Sequence, residues 1–304
     1  MAEPMDILVS IVTPTYNRAN CLKACFESLC RQTSGGFEWI LVDDGSTDDT
    51  EKLSNTFSNG GFPFRYIKKE NGGKHTALNA SHPYIRGRYV LILDSDDVLT
   101  EDAVEQVLSA WSRWEDDPGI GIVTLLKGPD EEHPNCYAAD ENVPVDIMAY
   151  RRITNGSSDA CEVIRAELFR KYPFPVFPGE KFISEGALWN RVSFTHKCVY
   201  VNKVVYLCGY LDGGLTKSGK PLRIRNPHGG MYTANLNMAE KNGFKRRIKN
   251  GLLYTCYGCF ARMTPGKMAS TCDHAALMYA CLPAGWLMHL FWKVKYCPML
   301  RRLS

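Results

Sequence analysis

Two short runs hold the residues best suited to chemistry. In "YVLILDSDDV", residues 89–98, three aspartates, Asp94, Asp96 and Asp97, follow an apolar stretch, and in "WILVDDGSTDDT" Asp43 and Asp44 do the same. Carboxylates this close repel one another, so they are either solvated by water or meant to meet a positive partner. Alone, "DDGS" is a turn with an Asx cap. Two acidic strand ends in one chain favour a shared ligand. Carboxylate oxygens are hard ligands suited to Mg2+ or Mn2+, ions that keep several waters and bind through one or two carboxylates plus a substrate phosphate. The "DSDD" end therefore fits a divalent ion bridging the protein to a diphosphate. "NGGKHTALN" adds consecutive glycines, Gly72 and Gly73, with Lys74 opening a helix, so backbone N–H groups and a cation can face an anion. It is neither a Walker loop, because the GxxxxGK[ST] spacing is missing, nor a dinucleotide fingerprint, because no GxGxxG follows the first strand.

The elements that must position these residues follow from two alternating hydrophobic periods. "ILVSIVTPTYN" predicts a strand, and "NCLKACFESLCRQ" predicts a helix with Leu22, Cys25, Phe26 and Leu29 on one face. "FEWILVDDGS" and "STDDTEKLSNTF" repeat the pair, with Ser, Thr and acids suited to a helix N-terminus. "FRYIKKE", "YVLILDSDDVL" and "GIGIVTLL" predict further strands, and "TEDAVEQVLSAWSRW" predicts a capped amphipathic helix. This βαβα order predicts an α/β fold with a mostly parallel central sheet and helices on both faces. Ligands of such sheets bind beyond the carboxyl ends of the strands, where Asn17, Asp43, Asp44, Asp94, Asp96 and Asp97 fall. Past residue 128, "KGPDEEHPNC" and "FPVFPGEKF" read as rim loops, "GALWNRVSF" as a helix and "KCVYVNKVVYLCGY" as strands. "DGGLTKSGKPLRIRNPHGG" reads as a basic Gly-rich loop, after which the chain is mainly helical.

The ordered blocks "VSIVTPTYNR", "WILVDDGSTDDT", "NGGKHTALNAS" and "YVLILDSDDVL" closely resemble the N-terminal half of family 2 glycosyltransferases, which have the GT-A fold, a Rossmann-like sheet. The resemblance implies an inverting transfer of a sugar from a nucleotide-diphosphate donor, a UDP-sugar by preference, with Mg2+ or Mn2+. Matched by position, it implies that Pro14, Tyr16 and Asn17 line the nucleoside pocket. Asp44 would accept a hydrogen bond from the base, with Asp43 beside it, and Lys74 would face nucleotide or phosphate. Asp94 and Asp96 form the DxD, with Asp96 as the metal ligand and Asp97 orienting the donor sugar. The acceptor's proton needs a base on the opposite side of the sugar. The family's later acidic block resembles "KFISEGALWNRVS", which gives Glu185, with Gly186 where many members carry Asp and Glu180 as the competing acid. A C-terminal segment of a bacterial subset resembles "YLDGGLTKSGKPLRIRNPHG", which implies Lys217, Lys220, Arg223 and Arg225 over the diphosphate and His228 in the metal shell.

Composition narrows the classes without choosing among enzymes. The chain has 304 residues, with 36 basic and 33 acidic side chains for a net charge of +3, too nearly balanced to argue by itself for nucleic acid or another polyanion, and no nucleic-acid partner is expected. Residues 1–228 are expected to form the catalytic domain, with a nucleotide-sugar half over 7–127 and an acceptor half over 128–228; residues 229–304 form a helical C-terminal region. No basic n-region with a long apolar h-region opens the chain, which predicts a cytoplasmic protein with reduced thiols. Of twelve cysteines, Cys256 and Cys259 in "CYGC" have no second pair at zinc-ribbon spacing and read as buried residues of a helix. No run of 18 uninterrupted apolar residues predicts a membrane-spanning helix. "GFKRRIKNGLLYTCYGCFARM" and "LMYACLPAGWLMHLFWKVKYCPMLRRLS" mix cations with aromatic and aliphatic residues. Two readings stay open there: peripheral contact at the inner face of the plasma membrane near a lipid-linked acceptor, or packing onto the protein with cations snorkelling outward. The expected acceptor is a saccharide or lipid-linked hydroxyl of a surface polysaccharide or glycolipid. A nucleotidyltransferase of similar fold and an inactive nucleotide-sugar-binding subunit are the alternatives.

Overall fold

In the computed structural model the described residues are 6–148, 159–209 and 215–300. The N-terminal elements are β1 (Val9–Thr15), α1 (Ala19–Cys30), β2 (Phe37–Asp43), α2 (Thr50–Ser54), β3 (Phe64–Lys68), α3 (Lys74–Ser81), β4 (Tyr89–Ile92), β5 (Val98–Leu99), α4 (Ala103–Ser112) and β6 (Ile120–Gly128). They are followed by β7 (Ala160–Arg165), α5 (Ala166–Lys171), α6 (Gly186–Val192), β8 (Lys197–Leu207), α7 (Leu215–Arg225), α8 (Pro227–Asn237), α9 (Phe244–Phe260), α10 (Pro265–Ser270) and α11 (Ala275–Leu300). Two compact units result: Met1–Pro173 with Val192–Tyr210, and Phe174–Arg191 with Leu211–Ser304.

The first unit is built on one eight-stranded sheet in the order β3-β2-β1-β4-β7-β6-β8-β5. β1 pairs in parallel with β2 and β4, and β2 with β3, so four carboxyl ends line up at one edge. β7 runs antiparallel between β4 and β6, β8 lies parallel to β6, and β5 is antiparallel to β8. The expected sheet with helical flanks and a helical C-terminal region is thus observed, with antiparallel strands joined to its parallel half. β7 went unmarked in the sequence because "ACEVIR" is short and broken by Glu162 and Arg165, so its apolar run is weak.

Burial on both faces explains the apolar strands: every residue of β1 and β2 is buried. Most of their polar side chains are paired, as Ser10 Oγ donates to Glu38 Oε1 at 2.6 Å and Trp39 Nε1 donates to Thr13 Oγ1 at 2.9 Å, while the buried Thr15 hydroxyl has no partner among the described residues. Unpaired, each buried group would cost about 1–3 kcal/mol. Trp39, fully buried, packs with Phe57 at a centroid distance of 5.3 Å, and Phe26 stacks on Phe57 at 4.5 Å, fixing α1 on this face. Tyr89 stacks on Trp111 of α4 at 4.2 Å.

The second unit has a helical core of its own around Met231, Met238, Tyr254, Tyr257, Met278 and Trp292. Cys256 is buried on α9 and burial pushes its thiol up to about 12, as befits a small packing residue. α11 packs tightly on α9: a methyl group at Gly285 would stand 1.7 Å from Thr255 Oγ1, so only glycine fits. One expectation is corrected. The basic segment read as a loop is helical over Leu215–Arg225, with a kink at Gly219, where φ is 48°. α11 is continuous for 26 residues, and its stretch Ala275–Tyr296 is long and apolar enough, by length and composition, to cross a membrane. His289 and Lys293 interrupt the apolar run, but they do not interrupt the helix.

Candidate active site

The nucleotide-side residues expected from the sequence converge at the carboxyl ends of β1 and β2. Pro14 is buried within β1, and Tyr16, just past it, is 47% exposed. Asn17 takes a positive φ of 51°, and its Oδ1 accepts from Thr47 N at 2.8 Å. Asn tolerates this conformation because its side chain can bond locally. Asp43 accepts from Ser46 N at 2.7 Å and from the Tyr66 hydroxyl at 2.6 Å. Asp44 is 3% exposed, and both its oxygens are used: Oδ1 accepts from Lys69 Nζ at 2.6 Å and Gly72 N at 2.9 Å, and Oδ2 from Gly73 N at 2.7 Å. Asp44 therefore holds the Gly72–Gly73 loop against β2. Gly45 completes the turn with φ 83°, and a Cβ there would meet Asn71 N at 2.9 Å.

The second acidic cluster follows β4. Lys74, first residue of α3, forms an ion pair with Asp94, so the glycine loop and the DxD share one contact. The backbone N–H of Asp94 donates to the Tyr206 hydroxyl at 2.8 Å. Burial pushes the Asp94 carboxyl up, but Lys74, Lys127 and Arg18 outweigh it and hold the group below the usual carboxylate range. Asp96 is also partly open: its side chain is 24% exposed and stands 3.6 Å from Arg18 Nη1. Asp97 lies 3.4 Å from Lys127 Nζ and takes a hydrogen bond from Tyr206. Burial pushes the Asp97 carboxyl up to about 6, against the pull of Lys127 and with repulsion from Asp94. Lys127 is itself buried over the Tyr206 ring, 4.1 Å from its centroid. Burial disfavours its charge, yet Asp159, Asp94 and Asp97 reverse that and raise its pKa.

These surroundings test the fit of a divalent cation. Asp94 and Asp96 are partly exposed, at 32% and 24%, and supply two hard oxygen donors near one another in sequence. Asp97 is inward, committed to Lys127 and Tyr206. Among the described residues no group of three or more His, Cys, Asp or Glu is arranged to hold a metal. One or two carboxylates suffice for Mg2+ or Mn2+ when substrate phosphate completes the shell, so Asp94 and Asp96 fit such an ion.

Four residues of this site escaped the sequence reading: Arg18, Lys69, Lys127 and Tyr206. Arg18 ends the "TPTYNR" block, and Lys127 is a lone cation closing an apolar strand, so both had a visible signal. Lys69 and Tyr206 had none, since the aspartates they meet lie far along the chain.

In the second unit Glu185 is half-buried directly before α6, and its carbonyl accepts from Leu188 N at 2.8 Å. Glu180 is instead spent on structure. It accepts from His228 Nδ1 at 2.7 Å and from the backbone N–H groups of His228 and Gly229 at 2.8 and 2.9 Å, capping α8. His228 also stacks on Phe177, with ring centroids 5.7 Å apart. Lys220 lies over the Trp292 ring at 5.2 Å, and Arg223 over Phe182 at 5.8 Å. The Lys217 side chain lies outside the described residues.

A parallel sheet edge with an acidic pair, a glycine loop and a lysine between them is the ligand edge of an α/β protein. The chain belongs to glycosyl transferase family 2, whose sequence profile matches residues 10–172. It is a glycosyltransferase of that family. It is 28% identical over 229 residues to the glycosyltransferase GlyG of Streptococcus pneumoniae serotype 4, covering 70% of this chain and 74% of that protein. Its fold is similar to that of residues 1–349 of TarS from S. aureus, crystallised with UDP-GlcNAc, at a TM-score of 0.61 and 18% identity, covering 92% and 90% of the two chains. It is also similar to the mannosyltransferase PcManGT of Pyrobaculum calidifontis, crystallised with GDP-Man and Mn2+, at a TM-score of 0.57 and 17% identity, covering 96% and 92%.

Proposed function

We propose that the chain is an inverting glycosyltransferase that moves a sugar from a UDP-sugar to a hydroxyl of a saccharide or lipid-linked acceptor, in the cytoplasm, during synthesis of a surface polysaccharide or glycolipid. The observation that carries this reading is the coupling of the two acidic strand ends through one short loop. Asp44 fixes Gly72 and Gly73, and Lys74, the next residue, pairs with Asp94. A nucleoside held near Tyr16 and Asn17 would thus have its diphosphate beside Lys74 and the DxD. The UDP-GlcNAc of TarS and the GDP-Man and Mn2+ of PcManGT support a nucleotide sugar and a divalent ion as ligands.

Each residue then has a task. Pro14, Tyr16 and Asn17 line the nucleoside, Asp43 braces the turn, and Asp44 both holds the loop and turns its remaining acceptor capacity toward the base. Asp94 and Asp96 would hold Mg2+ or Mn2+, Asp96 as the principal ligand, while Asp97 helps orient the donor sugar indirectly, through its buried contacts with Lys127 and Tyr206. When bound, the ion stabilises negative charge on the leaving diphosphate. Glu185 takes the proton of the acceptor hydroxyl, a role for which Glu180 is unsuited because its oxygens cap α8.

Glu185→Gln separates binding from chemistry. A thermal-shift titration with UDP-sugars and Mn2+ should give the same donor affinity as wild type, while transfer falls about 10³-fold. Unchanged turnover would move the base elsewhere. Product analysis guards the reaction class: free nucleoside diphosphate means sugar transfer, pyrophosphate means nucleotidyl transfer, and binding without turnover across a donor panel means an inactive subunit.

A further inference from the structure

α11 has two faces that share an apolar character and differ in burial. Met278, Cys281 and Trp292 are at most 5% exposed and face the helical core. Tyr279, Trp286, Leu287, Leu290, Phe291 and Val294 are 38% to 78% exposed. Thirteen large apolar residues are exposed among those described, and these six lie on one helix while the other seven are scattered. Single exposed apolar side chains are ordinary, whereas a contiguous patch marks a contact surface.

Helical geometry makes the patch a stripe. At about 100° per residue the six side chains fall within an arc of roughly 140°, and from Tyr279 to Val294 they run about 22 Å along the axis. Lys293 and Lys295, both exposed, fall just beyond the two edges of that arc, one on each side. No acidic residue occurs anywhere from Ala275 to Ser304.

We infer that this outer stripe of α11 docks on an anionic lipid bilayer, lying in the plane of the membrane interface. Trp, Tyr, Phe and Leu are the residues that bury shallowly at the boundary between headgroups and acyl chains. Lys293 and Lys295, one beyond each edge at the C-terminal end of the stripe, reach outward to lipid phosphates while their stems cover apolar surface. The inner face is packed on α9, which argues for a helix lying on the bilayer rather than crossing it, although Ala275–Tyr296 is long enough to cross. A second copy of the chain is a poorer occupant, since the stripe offers it cations and no acid to pair with them. This goes beyond the transfer reaction and is read without turnover.

The test is co-sedimentation of the full chain with vesicles of phosphatidylcholine alone or mixed with phosphatidylglycerol. Wild type should sediment with the mixed vesicles and stay largely in the supernatant with phosphatidylcholine alone. Leu287→Glu with Phe291→Glu should weaken vesicle binding about tenfold or more, with an unchanged melting temperature, because both side chains are 60% or more exposed. Lys293→Glu with Lys295→Glu should remove the preference for anionic lipid. Wild type remaining in solution with both vesicles, or the Leu287/Phe291 variant sedimenting as wild type does, would overturn the inference. So would a dimer in sedimentation velocity that the same variant dissociates without any vesicle binding, which would assign the stripe to a second copy.

Discussion

Asp44 and Asp96 follow β2 and β4, the two strands that flank β1, and the same residue type does different work at each. Asp44 is almost inaccessible and accepts three hydrogen bonds from Lys69, Gly72 and Gly73. Asp96 keeps a quarter of its side chain in solvent and meets Arg18 only loosely, at 3.6 Å. A carboxylate engaged mostly by its own protein shapes the site; one left more open can take an outside ligand. Both were equally acidic letters in the sequence.

The largest expected effect breaks the open side of this comparison. Asp96→Ala should lower sugar transfer by about 10³-fold, followed as nucleoside diphosphate release. It should leave the melting temperature within about 2 °C of wild type. Retained activity with metal still required would remove Asp96 from the metal assignment. On the sealed side, Asp44→Ala removes the only acid paired with Lys69 among the described residues, leaving its ammonium on Thr76 Oγ1 and the Glu70 carbonyl, and frees two loop N–H groups. It should reduce unfolding free energy by roughly 3 kcal/mol in urea titrations. A loss under about 1 kcal/mol would show that the carboxylate is not holding the loop.

The smallest effect sharpens the comparison with a third aspartate, intermediate between the two. The Asp97 carboxyl, raised by burial to about 6, takes up a proton in the folded chain at a pH where an unfolded chain stays ionised. Its contribution to stability therefore grows as pH falls from about 7 to about 5, the reverse of a carboxylate with a depressed pKa. Asp97→Asn should flatten this part of the melting-temperature profile. An identical profile in the variant would assign the titration to another group.

The parallel half of the fold was legible because strands buried on both faces read as unbroken apolar runs ending in turn residues, as in "WILVDDGS". The acidic ends were legible for the same reason, since a strand's end fixes where its next side chains stand. Their partners were less so. Tyr206 reaches Asp94 across 112 residues of chain, and Lys127 meets Asp97 from another strand, so neither contact leaves a local period. Leu215–Arg225 was misread because Gly219 and Pro221 are loop signals, and the helix absorbs both with a kink. The exposed stripe of α11 was hidden for the opposite reason: both faces of the helix are apolar, and only packing tells which one is covered.

The glycine at 285 has a consequence for that stripe. With Thr255 in the space a side chain would need, α11 sits at closest approach to α9 and has little freedom to roll about its own axis. The azimuth of the outer face is thereby set during folding. A surface oriented in advance loses little rotational and side-chain freedom when it meets a partner, so more of its contact energy is retained as affinity.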